Sequence, residues 1–230
     1  PPKSPEHWLR LLRTLTPDWP HDEPWSLIAE NDGIPTFLQA PQLPGSPPLK
    51  NRIDYPDQLD ILVTSKNHDL KQALARAGTP EDWLFALVSL QTQEGFLGAG
   101  NYGCARMNGG FGSRSYLTIA PSGAGFGARV FRDLRRLLKD SADFYAIADF
   151  LGGRKGTALL WLLPWDGNTS LDLASLHPLF VEVCRRVRLY SADGAIHARA
   201  GGSKVPRIDS KASKGHVGDP WLPLDISGEP

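Results

Sequence analysis

The densest group of side chains able to carry out chemistry is Lys66-Asn67-His68-Asp69. A histidine beside a carboxylate can serve as a general base, and an adjacent lysine suits a phosphate. Read as a catalytic centre, the four residues would form a metal-dependent nuclease. The remaining chain gives that reading little support. The six histidines are scattered, none stands at metal-ligand spacing from His68, and no nucleophile pairs with it. A structural or nucleic-acid-contacting role for Lys66, Asn67 and His68 needs no such partners. The sequence therefore predicts no enzyme, no metal and no cofactor.

A second group is organised by backbone. Ten of the 23 glycines fall between Gly95 and Gly127, seven of them before Ser113. In the run from Gln91 to Arg114 they alternate with Asn101, Tyr102, Arg106, Asn108, Phe111 and Arg114. Glycine lets a backbone approach another surface closely, and Asn, Arg and aromatic neighbours are what a phosphate or base edge requires. A glycine-rich turn between core elements would have the same composition. Gly98 to Gly103 fits G-x-G-x-x-G but follows a helical pattern, whereas a dinucleotide fingerprint follows a strand. Gly109-Gly110-Phe111-Gly112-Ser113-Arg114 lacks the Gly-Lys-Ser/Thr ending of a P-loop.

Charge points in the same direction. The total is zero, but residues 1–60 carry −4, residues 95–136 carry +5 and residues 199–216 carry +4. Two basic segments in a neutral chain favour a localised anionic partner, although solvated helix and loop faces would also hold such clusters. Hydrophobic content of 41% and charged content of 22% are those of a globular protein. No run of 18 apolar residues occurs, so no membrane is expected as a partner. Cys104 and Cys184 stand 80 positions apart, which fits a reducing, cytoplasmic setting without disulfides. The one methionine is Met107, so the chain is expected to be part of a longer product.

Positioning these residues falls to an irregular series of elements. Ser4-Pro5-Glu6 starts a helix with Trp8, Leu11, Leu12 and Leu15 on one face. Ile34 to Gln39 looks extended, and a loop with four prolines spans 41–48. Asp60 to Thr64 reads as a strand, and a helix follows from about Leu70 to Ala77. Thr79-Pro80-Glu81-Asp82 opens a central core helix carrying Trp83, Leu84, Leu87, Val88 and Leu90. Tyr116 to Ile119 reads as a strand. A helix from about Ala128 to Lys139 should turn Val130, Leu134, Leu137 and Leu138 inward, with Arg129, Arg132, Arg135 and Arg136 on more than one side. Ala158 to Leu163 reads as a buried strand, Leu176 to Val187 as a helix, and Asp193-Gly194 as a hairpin turn. The expectation is α+β: a single irregular mixed domain over 1–230 with short sheets, several helices and long glycine- and proline-rich loops. Residues 201–230 would form a basic tail packed on it.

Several segments together resemble the CasA family, the large subunit of type I-E CRISPR surveillance complexes (Cascade). They are Phe37-Leu38-Gln39, Leu49 to Arg52, Asp60 to Lys71, Pro80 to Arg114, and Gly215-His216-Val217-Gly218-Asp219-Pro220-Trp221. The resemblance implies a non-catalytic subunit in antiviral defence, seated near the 5′ end of a guide RNA. Such a subunit recognises the protospacer-adjacent motif of target double-stranded DNA, promotes duplex opening and recruits the CRISPR helicase-nuclease. Asn108, Gly109, Gly110, Phe111, Gly112 and Ser113 match the family's glycine loop. With Arg114, Lys211 and Lys214 they are the candidate DNA-binding residues. Asn101, Tyr102 and Arg106, with Lys66, Asn67 and His68, are candidates for contact with guide RNA or other Cascade subunits. The cysteine clusters of some members are missing here, as are the family's C-terminal helical bundle and usual N-terminal segment. The chain thus resembles the motif-reading domain of a larger or truncated subunit. Minor-groove readout is degenerate, so a bare backbone loop would suit a loose motif preference.

Overall fold

The computed structural model describes residues 2–59, 76–105, 125–139 and 155–210. The expected strands at 60–64 and 116–119, and residues 70–75 of the helix expected before Gly78, lie outside them. Arg76 and Ala77, which are described, are not helical. The fold is mixed α+β.

Helix α1 (Pro5–Leu15) starts as its sequence dictates, with Ser4 as N-cap accepting from the His7 N–H at 3.2 Å. Helix α2 (Pro80–Thr92) has a reciprocal cap. The Thr79 hydroxyl accepts from the Asp82 N–H at 3.3 Å, and the Asp82 carboxylate accepts from the Thr79 N–H at 2.8 Å. Its Trp83, Ala86, Leu87, Leu90 and Gln91 are buried, and Trp83 and Leu87 are wholly so. Burying side chains of this size stabilises the fold by about 1.5–3 kcal/mol each. Trp83, Leu87 and Leu90 join Leu38, Trp161, Val183, Val187, Leu189 and Ala198 in the main core, so α2 is the central helix its apolar face predicted.

The sheet facing α2 is antiparallel, in the order β1 (Asn51–Ile53), β5 (Ala195–Gly201), β4 (Arg186–Ala192). Asp193-Gly194 closes the β4–β5 hairpin, with φ of 53° and 75° at the two turn residues. Both positions are left-handed, which suits Asp-Gly and few other pairs. A second, smaller core holds Ala105, Leu160, Leu176, Phe180 and Ile208.

Three expectations are corrected. Leu176 to Val187 is not a helix: Leu176–Val181 is strand β3, which pairs in parallel with β2 (Thr157–Leu159), and Arg186 already belongs to β4. Leu176, Pro178 and Phe180 face inward in period two, and proline inside the segment opposes a helix. The expected strand 158–163 ends at Leu159 and tightens into a 3₁₀ turn at Leu160–Leu162, which buries Leu160 and Trp161. Thr36 to Gln39 is a tight turn and not an extended run. Thr36 and Gln39 exchange backbone hydrogen bonds of 3.3 and 2.8 Å, with Leu38 at φ 56°.

Helix α3 (Phe126–Lys139) forms where expected, but none of its residues is buried. Val130, Leu134 and Leu138 are exposed, Leu138 to 76%, as are Phe126 and Phe131. The helix has a strong apolar face, yet no described element packs extensively over it. Among the described residues, no helix is long and apolar enough to cross a membrane.

Candidate nucleic-acid interface

The first half of the glycine-rich run, residues 95–105, is a loop docked on the folded body. It turns at Gly98 to Asn101, where the Asn101 N–H donates to the Gly98 carbonyl at 3.0 Å. The Gly100 carbonyl accepts from Ser203 N–H at 3.1 Å, and the Tyr102 hydroxyl donates to the Lys204 carbonyl at 3.0 Å. Tyr102 also lies against Phe96, with ring centroids 5.8 Å apart. Gly103 makes a close backbone approach: a Cβ there would overlap the main chain of Glu94 and Gly95. Of the two candidate contact residues, Asn101 is exposed, whereas Tyr102 is half-buried and engaged inside the chain.

Below this loop lies a polar clamp. The wholly buried Gln91 donates to the carbonyls of Leu38 and Arg185, at 2.9 and 3.0 Å. Its Oε1 accepts from the N–H groups of Cys184 and Arg185, at 2.9 and 2.8 Å. Cys104 and Cys184, far apart in sequence, come together here as buried free thiols. Their Sγ atoms donate to the carbonyls of Gln91 and Leu90 at 3.3 and 3.2 Å. Contact with Cys184 and, next, burial push the Cys104 thiol well up, so it stays protonated.

The loop ends at Ala105, which is completely buried and held from two sides. Its N–H donates to the Glu182 carboxylate at 2.5 Å, and its carbonyl accepts from the Ser210 hydroxyl at 3.0 Å. Ser210 is also fully buried. The chain therefore leaves the described body toward residue 106 and toward residue 211 from two hydrogen-bonded neighbours that are 105 positions apart. Nothing in the local sequence marks Glu182 or Ser210 for this task, because both act across tertiary contacts.

The basic segments separate into two kinds. Arg207, counted in the basic cluster 199–216, is buried. It donates to the carbonyls of Pro164 and Leu163 at 3.1 and 2.8 Å, with its guanidinium 5.2 Å from the Trp165 ring. Arg199 pairs with Asp32 at 3.1 Å and lies over Tyr190. On β4, Arg188 is buried and donates to the carbonyls of Gln39 and Asn31 at 3.0 and 3.3 Å. Arg186 reaches the Gln42 side chain and the Pro47 and Gly202 carbonyls. Burial lowers the Arg188 and Arg207 pKa values to about 10, against the opposing pull of Asp32 and Asp166 respectively, so both remain cations at neutral pH. Arg186, Arg188 and Arg207 thus supply donors to carbonyls of a proline-rich loop and of neighbouring turns.

The α3 arginines are different. Arg129, Arg135 and Arg136 are exposed, and Arg132 pairs with the adjacent Asp133 at 2.6 Å. At 100° per residue, the four arginines and Lys139 share an arc of about 120°, not several sides of the helix. The apolar residues occupy the opposite arc.

The candidate residues Lys66, Asn67, His68, Arg106, Asn108, Gly109, Gly110, Phe111, Gly112, Ser113, Arg114, Lys211 and Lys214 lie outside the described residues. Among the described residues, no group of three or more His, Cys, Asp or Glu side chains could hold a metal ion. Comparison with protein-family models, with curated proteins and with solved structures yields no match to this chain.

Proposed function

We propose that the chain is the motif-reading part of a CasA-like large subunit. It would be a non-catalytic component of an RNA-guided type I-E complex that captures target duplex DNA beside the guide. The observation that supports this most directly is the hydrogen bond between Ser210 and Ala105. It joins the two described residues, Ala105 and Ser210, that directly precede in sequence the segments 106–114 and 211–214, which bear all the candidate DNA-binding residues. A glycine loop would then approach the minor groove while Lys211, Lys214 and Arg114 neutralise phosphates. Opening a duplex against a guide is nearly balanced in free energy, so a few such contacts can tip it.

The test is a gel-shift salt series on a guide-RNA complex lacking its large subunit, with and without this chain. Matched duplexes would carry or lack candidate adjacent motifs. Motif-dependent, salt-sensitive capture is expected when the chain is added. It should be lost on Gly109→Trp or Gly110→Trp with the fold intact by circular dichroism. Capture that is the same with and without the chain would remove the assignment. Metal-dependent nicking abolished by His68→Ala would replace it with the nuclease reading.

A further inference from the structure

Helix α3 keeps its apolar side chains on one face, and no described element packs extensively over them. At about 100° per residue, Phe126, Leu137, Val130, Leu134, Leu138 and Phe131 fill a continuous arc of about 140°. All are exposed except the half-buried Leu137, and Phe126 is 84% exposed. Cations border this arc on both sides. Arg135 and Lys139 follow it beyond Phe131, and Arg129 and Arg136 follow it beyond Phe126. The helix's one carboxylate, Asp133, falls on the second border, where Arg132 pairs with it at 2.6 Å. An occupant of this face must therefore be apolar in the middle and anionic along both edges. Nucleic acid has only the second property. A second copy of α3 would bring like charges to both edges.

A bilayer with acidic lipids has both properties, because acyl chains meet the arc while headgroups stand on each side of a helix lying in the interface. Arginine and lysine stems reach those headgroups from the borders of the arc. Helix α1 is the contrast. It also exposes Trp8, Leu11 and Leu15, but its Arg13 pairs with Asp22 and its Glu6 offsets Arg10, so little positive charge is left for headgroups. We infer that α3 lies along the surface of an anionic bilayer, its apolar arc among the acyl chains and its arginines on headgroup phosphates. This is attachment along a surface and not a crossing, for which no helix among the described residues is long and apolar enough. It rests on the helix alone and not on the duplex-capture reading.

The experiment is co-sedimentation of the full chain, without nucleic acid, with phosphatidylcholine vesicles that contain or lack phosphatidylglycerol. It is repeated on Leu134→Asp, on the double variant Arg129→Gln/Arg135→Gln, and on Leu11→Asp in α1 as the control. Leu134 is 48% exposed and no residue of α3 is buried, so a carboxylate there stays at the surface and the fold is kept. Binding that requires phosphatidylglycerol is expected, weakened at least about tenfold in the first two variants and unchanged in the third. Equal binding with and without phosphatidylglycerol overturns the inference, as does undiminished binding by Leu134→Asp or an equal loss in Leu11→Asp. Absence of binding also overturns it, and leaves the face of α3 to an acidic-rimmed groove on a protein partner. Motif-dependent capture is read on duplex DNA without vesicles, so its outcome stays separate.

Discussion

Arg186, Arg188 and Arg207 are the same residue type as Arg129, Arg135 and Arg136, yet the two sets occupy opposite surroundings. The first set is buried and bonded largely to backbone carbonyls; the second stands exposed along one arc of α3. Formal charge counts them alike. Chemistry does not: a guanidinium held by buried carbonyls is a structural clamp, whereas an exposed one can exchange counterions for phosphates. Within the basic segment 199–216, Arg207 is buried and Arg199 pairs with Asp32, so part of its formal charge is engaged inside the chain, whereas Arg129, Arg135 and Arg136 of α3 stand exposed.

The largest effect that sharpens this contrast comes from the clamp itself. Gln91→Leu would leave the Cys184 N–H and the Leu38 carbonyl buried and without this partner, at about 1–3 kcal/mol each, and would also strip the part-buried N–H and carbonyl of Arg185. A loss of several kcal/mol in urea unfolding is expected, enough to unfold much of the population. A loss below about 1 kcal/mol would mean that the Gln91 side chain is not what ties α2 to the Leu38 turn and to residues 184–185.

Removing the exposed set should do the reverse. Replacing Arg129, Arg135 and Arg136 by Gln is expected to change stability by no more than about 0.5 kcal/mol, as surface substitutions do. The slope of log affinity for duplex DNA against log salt should become shallower, by up to about 0.9 for every phosphate that these arginines neutralise. Arg207→Met provides the converse: stability falls while the salt slope stays. Equal slopes in both variants would break the distinction.

The smallest expected effect is acid sensitivity. Asp22 and Asp54 are held below the ordinary carboxylate value of 3.8, chiefly by hydrogen bonds from Arg13 and Arg52 respectively. Asp82 is held below it by its hydrogen bonds with Thr79. A lowered folded pKa means that the stabilisation is present above 3.8 and is lost as pH falls below it. Asp82 is exposed and Asp22 and Asp54 are partly so, and their partners Arg13 and Arg52 are exposed, so melting temperatures between about pH 7 and pH 5 should be flat and the decline below about pH 4 shallow. A steep loss between about pH 6 and pH 5 would point to other groups.

Local signals in the sequence determined the helix starts at Ser4 and Thr79, the Asp193-Gly194 turn and the apolar face that makes α2 central. Caps, turns and periodicity are chemistry among residues a few positions apart, and so can be read without the fold. The segment 176–187 misleads because its length and apolar content fit a helix, while the inward period of two and Pro178 belong to a strand whose partner lies at 157–159. Tertiary structure alone decided which arginines are clamps, which cysteines meet, and that Ala105 and Ser210 share a hydrogen bond. Each of these depends on a partner tens of residues away, and a side chain's type does not specify which distant carbonyl or carboxylate the fold will bring to it.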